Sequence, residues 1–88
     1  MMNNRAVADV VRAVLRDVLS IDAARADAFH ADTPLFGALP ELDSMAVAGL
    51  LTELEDRLGI VIDDDAVDGY LLATFGSITD FTIRKVAS

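Results

Sequence analysis

Few residues of this chain suit nucleophilic or acid–base chemistry. There is one histidine, His30, no cysteine, and serine at positions 20, 44, 77 and 88. A serine nucleophile needs a base within hydrogen-bonding reach and a third group to orient that base. His30 sits in a stretch rich in turn formers, and Ser44 lacks the Gly-x-Ser-x-Gly turn of a nucleophile elbow. A serine hydrolase is therefore not expected, and His30 reads as a surface loop residue. Without cysteine there is no thiol nucleophile, thiolate metal site or disulfide, which fits a reducing compartment. A Ca²⁺ loop would space its oxygen ligands and close on a glutamate at the twelfth position. Asp63, Asp64 and Asp65 are adjacent instead, and Thr74 stands at the closing position. No metal site, no phosphate-cradling glycine-rich motif and no self-contained active site are expected.

What remains is the pair Asp43-Ser44 ahead of an apolar-periodic segment. Either side chain is suited to cap a helix by accepting a bond from an orphan N–H. A serine there also lies in the positive potential of the helix N-terminus, which suits a phosphate ester on its hydroxyl. The pair opens the acidic part of the chain. Residues 41–68 hold nine acids and one base, Arg57, a net charge of −8, whereas the remainder balances six acids against six bases. A face so charged keeps a protein in solution and also suits docking to cationic partners. With 7 Lys and Arg against 15 Asp and Glu, nucleic acid is not an expected partner.

These residues must be positioned by helices. The chain has 88 residues, 53% of them hydrophobic and only 6% aromatic, enough for one packed domain over 1–88. Residues 4–19 read as a helix with Val7, Val10, Val11, Val14 and Val18 opposite a polar stripe of Arg5, Asp9, Arg12 and Arg16, started by Asn3 or Asn4. A long connection follows over 20–42, with a short helical turn near Ala23–Phe29 and Phe29, Leu35, Phe36 and Leu39 pinning it to the core. The second long helix runs from Asp43 or Ser44 to Leu58, with Val47, Leu50, Leu51, Leu54 and Leu58 on one face and Gly59 ending it. A brief third helix is expected from Asp63–Asp65, carrying Val67, Tyr70, Leu71 and Leu72. After a break at Gly76 and a cap at Ser77, a final helix runs to about Val86. The expected fold is all-α, a four-helix bundle with a long first loop and a short third helix. Charges at Asp9, Arg12, Arg16 and Asp17 interrupt the apolar run a signal peptide needs, and runs such as Gly69–Thr79 are about half the roughly 20 residues of a spanning helix. A soluble, cytoplasmic monomer with no membrane insertion is expected.

On these residues the sequence resembles an acyl carrier protein. Leu42-Asp43-Ser44-Met45 stands where that family has Asp-Ser-Leu at the start of its second helix. Asp32-Thr33-Pro34-Leu35-Phe36, Leu54-Glu55-Asp56-Arg57-Leu58-Gly59 with Ile60-Val61-Ile62-Asp63, and Ala73-Thr74-Phe75-Gly76-Ser77-Ile78 extend the likeness over essentially the whole chain. The resemblance implies a non-catalytic carrier. A phosphopantetheinyl transferase would move 4′-phosphopantetheine from coenzyme A onto Ser44 in a Mg²⁺-dependent step, with Asp43 assisting. The imported thiol would hold an acyl group as a thioester for acyl or aminoacyl ligases and acyl-transferring enzymes. The partner surface it implies includes Met45, Ala46, Gly49, Glu53 and Asp56. Met45 replaces the usual leucine, a tolerable apolar swap. Ala46 and Gly49 stand where fatty-acid carriers usually have acids, which favours a specialised pathway. The run Leu39–Met45 further resembles carriers of bacterial exosortase and exopolysaccharide clusters. A stand-alone peptidyl carrier and an unmodified acidic helical adaptor are the alternatives.

Overall fold

The structure, a computed structural model, describes residues 2–88. Helix α1 spans Asn4–Leu19, α2 Ala23–Asp27, α3 Ser44–Leu58 and α4 Phe75–Ala87, with one 3₁₀ turn at Asp64–Ala66. No β-strand occurs among the described residues; Pro34 and Thr74 form an isolated antiparallel bridge. The all-α bundle with a long first connection is as the sequence implies.

In α1 the Asn3 side chain accepts the Ala6 N–H at 2.8 Å, and the helix buries Val7, Val11, Val14, Leu15 and Leu19. Val10 and Val18, expected on the same stripe, lie half-buried at its edges. Arg12 departs from the polar stripe to which its spacing assigns it. Its Nη1 donates to the carbonyls of Ala26 and Phe29, at 2.5 and 2.9 Å, and its guanidinium lies 4.7 Å from the Phe75 ring centroid. It thus satisfies carbonyls at the end of the very short α2 and ties α1 to α4.

Helix α3 packs against α1 through Leu50 and Leu54, both fully buried, flanked by half-buried Val47, Leu51 and Leu58. Truncating either central leucine to alanine belongs to a class of change that costs about 2–5 kcal/mol. Gly59 ends the helix at φ 64°, the left-handed conformation that favours glycine there.

Two local expectations change. The third helix shrinks to the 3₁₀ turn, and a bend at Asp68 leads into turns over 69–73. The cause is local: one Asp68 carboxylate oxygen accepts the N–H groups of Tyr70 and Leu71, both at 3.0 Å. That turn competes with helical bonding, and Gly69 weakens the helical alternative further. Val67 and Tyr70 are exposed, while Leu71 and Leu72 are buried as expected. At α4, Thr74 rather than Ser77 is the cap. Thr74 Oγ1 accepts the Ser77 N–H at 3.0 Å and Ser77 Oγ accepts the Thr74 N–H at 3.1 Å, a capping box that leaves Gly76 inside the helix.

The long loop is strapped to the start of α4 by its backbone. Leu35 N–H donates to Ala73 O, Phe36 N–H to Leu72 O, Phe75 N–H to Thr33 O and Gly76 N–H to Ala31 O, all at 2.9–3.0 Å. Phe29 and Leu35 are buried, Leu39 is half-buried, and Phe36 is 54% exposed rather than pinned to the core.

Candidate functional site

The Asp43-Ser44 pair divides its labour. Asp43 is the N-cap of α3, with extended backbone, and its Oδ1 accepts the Ala46 N–H at 2.8 Å. Ser44 is the first helical residue and is exposed, and its hydroxyl has no hydrogen-bond partner among the described residues. A cap made by the aspartate leaves the serine oxygen free at the positive end of a fifteen-residue helix.

The approach to Ser44 is held from two sides. Leu42, almost fully buried, anchors the chain immediately before the pair. Arg25 on α2 grips Glu41 with two guanidinium nitrogens, at 2.5 and 3.2 Å. That bond, assisted by a hydrogen bond from its own backbone, holds the Glu41 carboxyl below its ordinary range, and the carboxylate raises Arg25 in turn. Farther along α3, Arg57 donates to Glu53 at 3.0 Å and to Asp17 on α1 at 2.8 Å. Asp17 and then Glu53 raise the Arg57 pKa. These pairs are exposed, so each contributes little to stability.

Two clefts meet at Ser44. One, about 370 Å³, lies between the loop and the turns after the 3₁₀ helix; Phe36, Val47, Val67 and Leu72 give it apolar walls. The other, about 340 Å³, runs along α3 past Ala48, Leu51 and Thr52 against Ile62 and Asp64. Their shared wall is Val47 and Val67. The far side of the second cleft is fixed by Glu55, whose Oε2 accepts the Ile62 N–H at 2.8 Å.

No histidine, lysine or arginine lines either cleft; the charged residues that do are Asp68 in the first and Glu55 and Asp64 in the second. His30 is exposed and its Nδ1 accepts the Asp32 N–H at 3.3 Å, a loop role as expected. Among the described residues no group of three or more His, Cys, Asp or Glu side chains is arranged to hold a metal. The site is a free hydroxyl beside apolar space.

A family model described as the phosphopantetheine attachment site matches residues 9–81. The chain belongs to that family. It also superposes on the solution NMR structure of a holo acyl carrier protein from Nitrosomonas europaea with a TM-score of 0.84 and 36% identity, covering 92% of this chain and 96% of that one. No curated protein sequence matches it significantly. The chain is thus a non-catalytic carrier protein, and 4′-phosphopantetheine is its covalent cofactor. The residues at the site fit that group: an unbonded, exposed hydroxyl at a helix N-terminus for the phosphate ester, and apolar walls beside it for what hangs from the phosphate. Among the described residues no helix is long and apolar enough to cross a membrane.

Of the other residues that the sequence singles out, Met45 is 85% exposed beside Ser44, and Asp56 is exposed. Ala46 is half-buried against the core and Glu53 is paired with Arg57. Gly49 is exposed but borders α1 at Val18. Ala46, Gly49 and Glu53 therefore follow the α1 side of the helix, away from the clefts. Sequence reasoning missed the cleft walls Val67 and Leu72 as site residues. In sequence Val67 stands with Tyr70 and Leu71 at i, i+3 and i+4, which reads as a helix stripe rather than a cleft wall.

Proposed function

We propose that Ser44 is the attachment point, that the whole chain is one carrier domain, and that it presents an acyl thioester to partner enzymes in the cytoplasm. The observation that carries this is the free, exposed Ser44 hydroxyl at the N-terminus of α3 where two partly apolar clefts meet. The other serines are poorer acceptors. Ser77 is buried with Oγ engaged by Leu71 and Thr74, Ser88 Oγ donates to Lys85 O, and Ser20 caps the negative end of α1.

In the loading step Ser44 Oγ attacks the phosphorus bearing the pantetheine arm of coenzyme A. The new O–P bond replaces the pyrophosphate linkage, adenosine 3′,5′-bisphosphate departs, and the serine proton passes to a base on the transferase. The arm's terminal thiol supplies the thioester linkage that the cysteine-free chain lacks. Asp43 keeps the helix end capped while Ser44 reacts. An acyl cargo is favoured over an aminoacyl one by the walls of Phe36, Val47, Val67 and Leu72, and by the acyl carrier protein on which the chain superposes.

Intact mass spectrometry tests the proposal. With coenzyme A and a broad-specificity transferase the protein should gain one phosphopantetheine, and Ser44→Ala should gain none while keeping its helical circular dichroism. Labelling of Ser44→Ala at Ser20, Ser77 or Ser88 would refute it.

A further inference from the structure

One arginine bears on the Ser44 cleft without lining it. Arg12 is half-buried, whereas Arg5 and Arg16 of the same stripe are exposed and make no ion pair among the described residues. Its Nη1 donates to the carbonyls of Ala26 and Phe29, and its guanidinium lies over the Phe75 ring. Phe29 and Phe75 are both buried, with ring centroids 5.9 Å apart. No other donor reaches the Phe29 carbonyl among the described residues. Removing the guanidinium therefore leaves that acceptor unpaired beside buried rings.

These contacts fix both chain segments from which the strap is hung. Phe29 leads into the loop and Phe75 opens α4. Between them the backbone rungs run in order from Gly76 on Ala31 and Phe75 on Thr33 to Leu35 on Ala73 and Phe36 on Leu72. The last rung, at 2.9 Å, joins Phe36 to Leu72, and these two side chains are walls of the cleft that holds Ser44. Phe36 is exposed, so this rung rather than core packing holds it beside the cleft.

We propose that Arg12 is a positioning residue for the cargo cleft: by clamping Phe29 and Phe75 it sets the strap, and through the strap it keeps Phe36 against Leu72 beside Ser44. The inference rests on the reading that Ser44 carries an acyl thioester whose chain uses that wall. A long acyl chain has apolar surface to bury there, and an acetyl group has almost none. Arg12 therefore governs the shelter given to long cargo and leaves short cargo unaffected.

Two measurements test it. In the apo protein, Arg12→Met should speed hydrogen exchange of the Leu35 and Phe36 amides roughly tenfold or more, the factor given by one lost bond to a charged donor. The control is Val14→Ala, which removes core volume from the same helix and none of these bonds. It should leave those two amides within about twofold of wild type, because they open locally rather than with the whole fold. The second measurement follows hydrolysis of octanoyl and acetyl thioesters on the holo protein by intact mass. Wild type should lose octanoyl more slowly than acetyl; Arg12→Met should bring the two rates together, and Val14→Ala should keep them apart. Where either variant melts near the assay temperature, adding Gly49→Ala to wild type and to both variants keeps the comparison within folded protein, since the new methyl meets only an ordinary contact. Wild-type exchange at Leu35 and Phe36 in Arg12→Met overturns the inference, as does octanoyl protection that survives Arg12→Met. So does a Val14→Ala control that loses either property equally. If wild type hydrolyses octanoyl and acetyl alike, the cargo reading beneath the inference falls, an outcome distinct from protection that Arg12→Met leaves in place.

Discussion

Replacing Gly76 by alanine would place a methyl carbon 2.6 Å from the carbonyl oxygen of Ala31, with the Ala31 Cα at 3.1 Å and its carbonyl carbon at 3.2 Å. All three neighbours are backbone atoms, so no side chain can swing away. The same carbonyl accepts the Gly76 N–H at 2.9 Å. Relief therefore requires the loop to move from α4, which weakens that bond, worth about 1 kcal/mol. Overpacking of this kind typically costs about 1–3 kcal/mol. Against this stands the gain of alanine over glycine in a helix, at most about 1 kcal/mol and less near an end. The net expectation is destabilisation by about 1–3 kcal/mol. In a domain of this size that lowers Tm by roughly 5–20 °C.

Gly49→Ala should do the opposite. The added carbon meets only Val18 Cγ1, at 3.6 Å, an ordinary contact. The helix-interior gain of about 1 kcal/mol is then unopposed, and Tm should rise by about 4–8 °C. Thermal melts by far-ultraviolet circular dichroism measure both. Hydrogen exchange adds a local readout: the Leu35 and Phe36 amides, which bond across the strap to Ala73 and Leu72, should exchange faster in Gly76→Ala. A Gly76→Ala protein that melts at or above wild type would refute the close approach and the strap built on it.

The remaining predictions concern single polar groups. Thr79 Oγ1 is buried without a partner, whereas Thr82 Oγ1 donates to Ile78 O at 2.7 Å; Thr79→Val should therefore stabilise by about 1 kcal/mol in denaturant titrations while Thr82→Val gains nothing. Because Arg25 holds the Glu41 carboxyl below its ordinary range, the stability contributed by the pair is present above that range and lost as pH falls through the depressed value. The Tm gap between wild type and Glu41→Gln should thus be small at neutral pH, because the pair is exposed, and should close on acidification; a gap that widens in acid would reverse the sign of the argument.

How much of this was legible in the sequence depended on whether a feature is local. The spans of α1 and α3, the left-handed Gly59 and a cap within Asp43-Ser44 follow from short-range periodicity and capping, and the structure reproduces them, with Asp43 as the cap. The third helix starts in the acidic run as expected but stops after one 3₁₀ turn, because the Asx turn at Asp68 takes over. Thr74 and Ser77 are equally good caps by type; only their mutual bonds show which one stands outside the helix. Arg12 looked like its neighbours Arg5 and Arg16, since nothing in a polar stripe marks the arginine that will fold back over a phenylalanine. Gly76 read as a breaker because its reason, the backbone of Ala31, lies 45 positions away in the chain.

The same distinction bears on the site. The serine proposed as the attachment point is a local feature: an aspartate that caps, a serine that follows, and a helix whose dipole favours a phosphate ester. The clefts beside it are not local. Their walls come from the long loop, from the face of α3 and from the turns after the 3₁₀ helix, and each is fixed by a different device: the backbone strap at Phe36, the buried leucines of α3, and the Asp68 turn at Val67 and Leu72. Had residues 64–72 formed the expected helix, Val67 would have shared a face with Tyr70 and Leu71, at i+3 and i+4, and Leu72 would have pointed elsewhere. Melting that helix to one turn leaves Leu72 buried and Val67 at the rim. The Asp68 turn instead sets both side chains in the wall of the cleft beside Ser44, the hydroxyl we propose as the attachment point.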